Sequence, residues 1–195
     1  MSGHWRGTLV FHARDRSGFT IIELMLTVGI VGLLATLAIP TMMRFQLKAK
    51  AAEGRVNIAA IRESEETYFA EWGVYASAVP VLPLTIGPNR APWVLAASDA
   101  HGFNDIGWSP EGSLYFQYGA KASGGLGYTI EARSDIDGNG AYNSWGYVKP
   151  IIGTTVGIAG PMGVCPVTGV FDEKRVPNRL NLIGPCDAQS GVSAY

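Results

Sequence analysis

The hydrophobic pattern is dominated by one almost unbroken apolar run, which extends from Phe19 to Ile39 and ends at Pro40. A helix needs about 20 apolar residues to cross a bilayer, so this run predicts a membrane-spanning helix. Glu23 is the exception, since an ionisable side chain in hydrocarbon costs on the order of 2 kcal/mol or more unless it is paired. We therefore predict a functional role for the Glu23 carboxylate.

After Pro40 the apolar positions recur at helical spacing among many charges, from Thr41 to Trp72. This spacing predicts that the helix continues as an amphipathic segment whose apolar face packs on a sheet. The residues expected on that face are Val56 or Ile58, Ile61, Tyr68 and Trp72, with Ala59, Ala60 and Phe69 beside them. The basic cluster just after Pro40 is either a solvated face or a contact with lipid head groups. From Phe19 to Trp72 one helix would be about 80 Å long.

A proline-rich connection follows, roughly from Gly73 to His101, and it is too apolar to be a free linker. Alternating patterns then predict three strands, at 113–118, 127–133 and 144–149, with glycine-rich turns between them. We predict an antiparallel meander that covers the apolar face of the helix. The predicted fold class is therefore α+β, with a long N-terminal helix packed on an antiparallel β-sheet head.

The N-terminal segment closely resembles the cleavage and assembly region of type IV pilins and pilin-like proteins. In that family a short basic leader ending in glycine precedes Phe-Thr-(Leu/Ile)-(Ile/Val)-Glu, followed by an apolar helix with a small residue and a proline. The residues that carry the resemblance are Gly18, Phe19, Thr20, Ile21, Ile22, Glu23, Gly32 and Pro40. The resemblance is specific for about the first quarter of the chain, and beyond Trp72 it rests on layout alone.

The resemblance implies a division into a removed leader (1–18), a transmembrane and assembly helix (19–40), an amphipathic half-helix (41–72) and a β head (73–195). A prepilin peptidase would cut after Gly18 and methylate the new amino terminus on Phe19. Glu23 would pair with the amino terminus of a neighbouring subunit, and Gly32 and Pro40 would serve assembly. We expect proline to kink or locally unwind the helix at Pro40. The basic leader would keep the N-terminus in the cytoplasm and place the head outside.

Two simpler interpretations of the same segment remain. A secretory signal peptide has a shorter apolar run and an Ala-x-Ala-like cleavage site. A plain single-pass anchor explains the length of the run but neither Glu23 nor the junction between Gly18 and Phe19. Both are less consistent with the residues than the pilin-like interpretation.

An acidic turn in the head has the pattern D-x-D-x-N-G, formed by Asp135, Asp137, Asn139 and Gly140. Alternate oxygen ligands on a loop that curls at glycine are the first half of a calcium loop. The acid that should follow at the twelfth position is missing, because that position is Gly146. The alternative is a hairpin turn built from residues that tolerate left-handed backbone. No cofactor is required, and calcium is the one that the sequence allows.

The two cysteines, Cys165 and Cys186, lie near the end of the chain. In an exported domain two cysteines are expected to pair, and the bond would contribute about 3 kcal/mol in the chain-entropy estimate. The alternative is two free thiols. A C-terminal loop closed by a disulfide resembles the one that many pilins display on the filament surface.

The rest of the sequence excludes several classes of function. A formal net charge of -1 gives no electrostatic case for nucleic acid, and no catalytic motif is present, so we predict no enzyme. The first functional hypothesis is a structural subunit of a type IV pilus, used in adhesion, twitching motility or DNA uptake. The second is a pseudopilin of a type II secretion system, and the third is a membrane-anchored binding module that never polymerises.

The partners follow from the first two hypotheses. They are copies of the chain or other pilins in a helical filament, the prepilin peptidase, an inner-membrane assembly platform, and lipid before assembly. The chain would pass once through the inner membrane and then enter a surface pilus or a periplasmic pseudopilus.

Overall fold

The computed structural model describes residues 18–94 and 102–191, and it confirms the α+β fold class. One helix, α1, runs from Ile21 to Trp72. By contacts the chain divides into two compact units, with the division between Thr41 and Met42. The predicted leader lies outside the described residues except for Gly18, as does the end of the predicted connection at His101.

In the first unit, α1 carries the apolar run that the sequence predicts to cross a membrane. By length and composition, α1 is the one helix in the described part of the chain that could do so. Pro40 lies inside α1, and the residues on both sides of it remain helical. Of the two effects predicted for Pro40, local unwinding is therefore wrong for this structure, and a kink stays a prediction. Proline removes only one helical hydrogen bond, and Thr41 Oγ1 adds a bond to the carbonyl of Leu37 at 3.1 Å.

The second unit contains nine strands within the described ranges. They are β1 (Ala78–Leu82), β2 (Ala91–Pro92), β3 (Ser113–Leu114), β4 (Gln117–Ala122), β5 (Tyr128–Ser134), β6 (Asn143–Lys149), β7 (Val170–Phe171), β8 (Pro177–Arg179) and β9 (Ile183–Pro185). The main sheet is antiparallel with the order β1-β4-β5-β6-β9, and two small sheets pair β2 with β3 and β7 with β8.

The predicted meander is confirmed as β4, β5 and β6. The strand predicted at 113–118 is wrong in one respect, because it breaks between β3 and β4. At the break the backbone N–H groups of Tyr115 and Phe116 donate to Glu53 Oε1 of the helix, at 2.9 and 3.3 Å, instead of to a strand. The connection after Gly73 supplies β1, an edge of the sheet. It is packed down as predicted at Leu82 and Trp93, whereas Leu84 and Val94 are exposed.

The core of the head lies between α1 and one face of the main sheet. Ile58 and Ile61 of the helix are fully buried there, together with Tyr118, Tyr128 and Ile130 of the strands.

Of the two residues predicted to begin the apolar face of the helix, the structure buries Ile58 and not Val56, and the predicted last residue of that face, Trp72, is wrong. Val56 and Trp72 are 66% and 63% exposed. The buried residues of α1 are Gly54, Ile58, Ile61 and Glu65, spaced by four, three and four, so the stripe that meets the sheet excludes Val56. The carboxylate of Glu65 lies in this stripe, where the sequence predicts only apolar side chains. Ala60, Tyr68 and Phe69 pack against the core as predicted, whereas Ala59 is exposed.

The opposite face of the sheet carries a row of glycines that cross-strand pairing places side by side. Gly119 pairs with Glu131, Glu131 with Gly146, and Gly146 with Gly184. A Cβ atom at Gly119 would lie 2.8 Å from Pro161 Cγ, and one at Gly184 would lie 2.7 Å from Val170 Cγ2. The missing side chains open a trough in which the segment from Pro161 to Val170 lies. The head therefore has three layers, which are helix, sheet and C-terminal segment.

Candidate functional site

The first predicted site is the start of α1, where Thr20 and Glu23 bind each other. Glu23 Oε2 accepts hydrogen bonds from the backbone N–H of Thr20 at 3.0 Å and from its hydroxyl at 2.7 Å. The N–H of Glu23 donates in return to Thr20 Oγ1 at 3.3 Å. This is a capping box, in which a threonine and a glutamate three residues later satisfy the free N–H groups at a helix start.

The capping box changes the interpretation of Glu23. On the sequence, the case against a plain membrane anchor is that it leaves the Glu23 carboxylate without a partner. In the structure Thr20 is a partner within the same chain, so that case no longer holds by itself. The Thr20-x-x-Glu23 spacing is the sequence signal that would have revealed this contact.

The other predicted assembly residues lie on the same helix and are open to their surroundings. Phe19 is 79% exposed. No atom of the described chain, apart from the immediate helix backbone and chain neighbours, would come within 4 Å of a Cβ atom at Gly18, Gly29 or Gly32. Gly18, Phe19, Glu23, Gly32 and Pro40 therefore belong to one continuous segment that makes no tertiary contact at its glycines.

A second group of polar residues, which the sequence does not reveal, lies where α1 meets the sheet. Lys149 Nζ of β6 contacts both oxygens of Glu66, at 2.6 and 2.8 Å, and Tyr128 donates its hydroxyl to Glu66 at 2.8 Å. Burial alone would raise the pKa of Glu66, but the hydrogen bonds from Lys149 and Tyr128 outweigh it and lower that pKa. The ion pair fixes the last turns of the helix to the sheet.

Glu65, the neighbour of Glu66, is fully buried and much less well satisfied. Its Oε2 accepts the N–H of Ala76 at 3.1 Å, and its Oε1 is buried without a hydrogen-bond partner among the described residues. Burial raises the pKa of Glu65 to about 7, and the negative charge of Glu66 adds to the shift. The carboxyl group ties the end of α1 to the chain that leads into β1.

Glu131, in the centre of the glycine row, is also fully buried. Its two carboxylate oxygens accept the backbone N–H groups of Met162, Val164 and Cys165, at 2.5, 2.9 and 2.7 Å. A Cβ atom at Gly160 would lie 2.5 Å from Glu131 Oε1, so glycine is required for this approach. One side chain thus holds the start of the C-terminal layer against the sheet.

The predicted disulfide between Cys165 and Cys186 is present. The two residues are 5% and 1% exposed and lie in a small second core with Val148 and Val170. A Cβ atom at Gly146 would collide with the sulfur of Cys165 and lie 2.7 Å from the sulfur of Cys186. The bond is therefore packed into the trough, and only the loop that it closes reaches the surface.

The acidic turn closes largely through its own hydrogen bonds. Gly140 N–H donates to Asp135 Oδ2 at 3.2 Å, and Asn139 donates to both oxygens of Asp137, at 3.4 Å from its N–H and 2.5 Å from its side-chain amide. These contacts are what a hairpin turn requires. Asp135 Oδ1 is buried without a hydrogen-bond partner among the described residues, which fits a calcium ligand. No group of three or more acidic, histidine or cysteine side chains that could hold a metal occurs in those residues.

Comparison with known proteins identifies the N-terminal segment. The family model described as the prokaryotic N-terminal methylation motif matches residues 13–39. The chain is 30% identical to the type IV major pilin protein PilA of Myxococcus xanthus over 115 residues, which are 59% of this chain and 41% of that protein.

Two proteins of a related class also match. The type II secretion system core protein G of Pseudomonas aeruginosa is 38% identical over 64 residues, 33% of this chain and 45% of that protein. The core protein G of Aeromonas hydrophila is 27% identical over 130 residues, 64% of this chain and 91% of that protein. The matches to the first two relatives span less than half of their length. No solved structure gives a significant match. The methylation motif and these relatives confirm the predicted resemblance of the chain to type IV pilins and pilin-like proteins.

Proposed function

We propose that the chain is a structural subunit of a type IV pilus filament that polymerises through the first part of α1. The observation that carries the proposal is the methylation motif over residues 13–39, which includes the start of a helix of membrane-spanning length and apolar character. Similarity to a type IV major pilin over 115 residues extends the support into the head. The three layers of the head and its buried disulfide give the rigid domain that a structural subunit needs.

The processing and partners follow from this proposal. A prepilin peptidase cuts after Gly18 and methylates Phe19, and the apolar helix holds the processed chain in the inner membrane with the head outside. An assembly platform in that membrane then moves the subunit into a filament of its own kind or of other pilins. There Glu23 leaves its capping bond with Thr20, at least in part, and pairs with a neighbour's amino terminus. Exchange of one partner for another keeps the carboxylate satisfied in both states.

A pseudopilin of a type II secretion system is the second candidate function. The two core protein G relatives favour it, and the match to one of them covers 91% of that relative's length. A membrane-anchored binding module that never polymerises is the third candidate, which the capping box at Glu23 allows.

Mass spectrometry of the chain, in material sheared from the cell surface and in membranes, separates these functions. The pilus proposal requires a species that begins at methylated Phe19 and is abundant in the sheared fraction. The same species confined to the envelope would indicate a pseudopilin instead. An intact leader in every fraction would contradict both and leave the anchored module.

Replacing Glu23 by alanine is expected to leave membrane insertion intact and to reduce filament yield strongly. The apolar helix keeps its length, but the neighbour's charged amino terminus loses its partner. The yield of sheared filaments, compared with the amount of chain in membranes, measures the effect. Thr20→Ala is the matched control, because it removes both capping hydrogen bonds of the Thr20 hydroxyl and keeps the carboxylate. Equal losses in both variants would assign Glu23 to capping alone.

Calcium at the acidic turn is a separate and smaller proposal, supported by the buried Asp135 Oδ1 and the oxygens of Asp137 and Asn139. We expect excess calcium to raise the Tm of the head transition and a chelator to lower it. In Asp137→Ala this response to calcium should disappear. If neither calcium nor the chelator changes the Tm of the unaltered chain, the residues form only a hairpin turn.

A further inference from the structure

The charges on the part of α1 that belongs to the head are sorted by sign along the helix. Between residues 44 and 55 there are four basic side chains and one acidic one, and between residues 62 and 71 there are four acidic side chains and one basic one. Within residues 18–94 and 102–191, the structure contains one ion pair, between Lys149 and Glu66. No charge on this helix therefore pairs with another charge on the same helix in the described structure.

Several of the basic side chains are already engaged with the head. Lys50 lies over the ring of Tyr115, with its Nζ 4.8 Å from the ring centroid. The guanidinium groups of Arg55 and Arg62 lie 5.0 Å from the ring centroids of Trp145 and Tyr147. Two basic residues remain, Arg44 and Lys48, which are exposed and contact no ring of the sheet.

The acidic side chains divide in the same way. Glu53 accepts the N–H groups at the break between β3 and β4, Glu65 is buried, and Glu66 is paired with Lys149. The two that remain are Glu63 and Glu71, which are exposed, and neither forms an ion pair with a described residue. Two unpaired cations near one end of the segment thus match two unpaired anions near the other end.

The arrangement of the two cations is unfavourable in a single copy. Arg44 and Lys48 are four residues apart on one helix face, where like charges repel each other. Val56 lies between the cations and the anions, and it is a large apolar side chain left mostly exposed. At 3.6 residues per turn the cations and the anions lie on different sides of the exposed part of α1, so the cation side of one copy is complementary in charge to the anion side of a shifted copy.

The spacing allows such a shift. At about 1.5 Å per residue, Arg44 lies about 29 Å before Glu63 along the helix, and Lys48 lies about 35 Å before Glu71. The difference of about 6 Å is within the reach of these long, flexible side chains. A parallel second copy displaced by about 30 Å therefore brings both cations to both anions at once.

We propose that the exposed part of α1 within the head is a docking surface for a second copy of the chain, with Arg44 and Lys48 of one copy against Glu63 and Glu71 of the next. The inference rests on the proposed function, because it requires a polymer. The contact is head to tail, so it repeats and leaves a free surface at each end of the assembly. Exposed ion pairs contribute little energy each, so their role is to set the register between neighbours.

Charge reversal tests the docking surface in cells that make the full chain. One variant carries R44E and K48E, a second carries E63K and E71K, and a third carries all four changes. Like charges would then face each other at both pairs of every contact along the filament, so each double variant should give at least about tenfold fewer sheared filaments. The quadruple variant should recover to within about twofold of the unaltered chain, because its charges are again complementary. Expression of the two double variants together should also recover the filaments.

Matched controls reverse exposed charges outside the helix. The K121E and K174E double variant is the control for the first variant, and the E111K and E173K double variant is the control for the second. These should keep full yield. Full yield in both helix variants would overturn this inference and leave the proposed function standing. Loss without recovery, both in the quadruple variant and on joint expression, would also overturn it. Absence of filaments from the unaltered chain would overturn the proposed function and this inference together.

Lipid head groups are the other class of partner for Arg44 and Lys48, and the same variants distinguish it. Head groups would explain the two cations but leave Glu63 and Glu71 without a role. In that case only the R44E and K48E variant would lose filaments, E63K and E71K would not rescue it, and its chains would be depleted from the membrane fraction. That pattern would contradict docking of a second copy.

Discussion

Replacing Glu131 by alanine is expected to lower the free energy of unfolding of the head by about 4 kcal/mol. The change leaves the buried N–H groups of Met162, Val164 and Cys165 without their acceptor, and each unsatisfied buried donor costs about 1–3 kcal/mol. Denaturation of the full chain in detergent, followed by tryptophan fluorescence, measures the loss. The disulfide should be kept, because Cys165 and Cys186 are unchanged.

Glu131→Gln is the informative comparison, since it keeps the shape of the side chain and one carbonyl oxygen. We expect its effect to be about half that of alanine, because an amide NH₂ would then face a backbone N–H group. Glu111→Ala removes an exposed carboxylate from a turn and should change stability by less than about 0.5 kcal/mol. An alanine variant at position 131 that is as stable as the Glu111 variant would show that water replaces the carboxylate without cost.

Glu65 is expected to make the head less stable as the pH rises from about 4.5 to about 7. Burial raises the pKa of Glu65 from 4.5 to about 7, so in this range the folded chain holds a proton that the unfolded chain has released. Stability falls wherever the folded state binds more protons, and the loss is on the order of 3 kcal/mol. This loss of stability is absent below the pKa of Glu65 in the unfolded chain and complete above its pKa in the folded chain. Denaturation midpoints measured across this range report it.

Glu65→Gln isolates this contribution, because glutamine has the same shape and no charge. The variant should match the unaltered chain near pH 4.5 and be more stable by that same order of free energy above pH 7. Glu66 has the opposite dependence, since its pKa is lowered and its stabilising pair with Lys149 is lost as the pH falls. That loss occurs in both proteins and cancels in the difference. A constant difference across the pH range would mean that Glu65 titrates normally in the fold.

The membrane helix and the meander could be predicted because their periodicities are strong. The apolar run from Phe19 to Ile39 is unambiguous, and the alternation in β5 and β6 places both strands within one residue of their observed starts. Sequence patterns give the type of an element better than its contacts. The capping box of Thr20 and Glu23 was readable from its spacing, but the carboxylate was interpreted only through an intersubunit pair.

The outer layer of the head could not be predicted, because the glycines and the glutamate that hold it look like turn and surface residues in the sequence. Gly119 and Gly146 are turn or breaker signals in sequence, yet cross-strand pairing puts them in one row. Glu65 and Glu131 count as surface residues in any hydrophobic pattern, although both are fully buried. Their burial depends on distant partners, Ala76 for one and the chain from 162 to 165 for the other, which spacing does not reveal.

The trough under the disulfide also controls chemical access to it. Both sulfurs lie beneath the C-terminal segment and against Gly146, so a small reducing agent reaches them only when that segment lifts away. Thiol exchange requires a direct approach to a sulfur atom, and its rate is limited by the fraction of time that the layer is open. The rate at which a thiol reductant cleaves the bond between Cys165 and Cys186 therefore reports how often the C-terminal layer leaves the sheet.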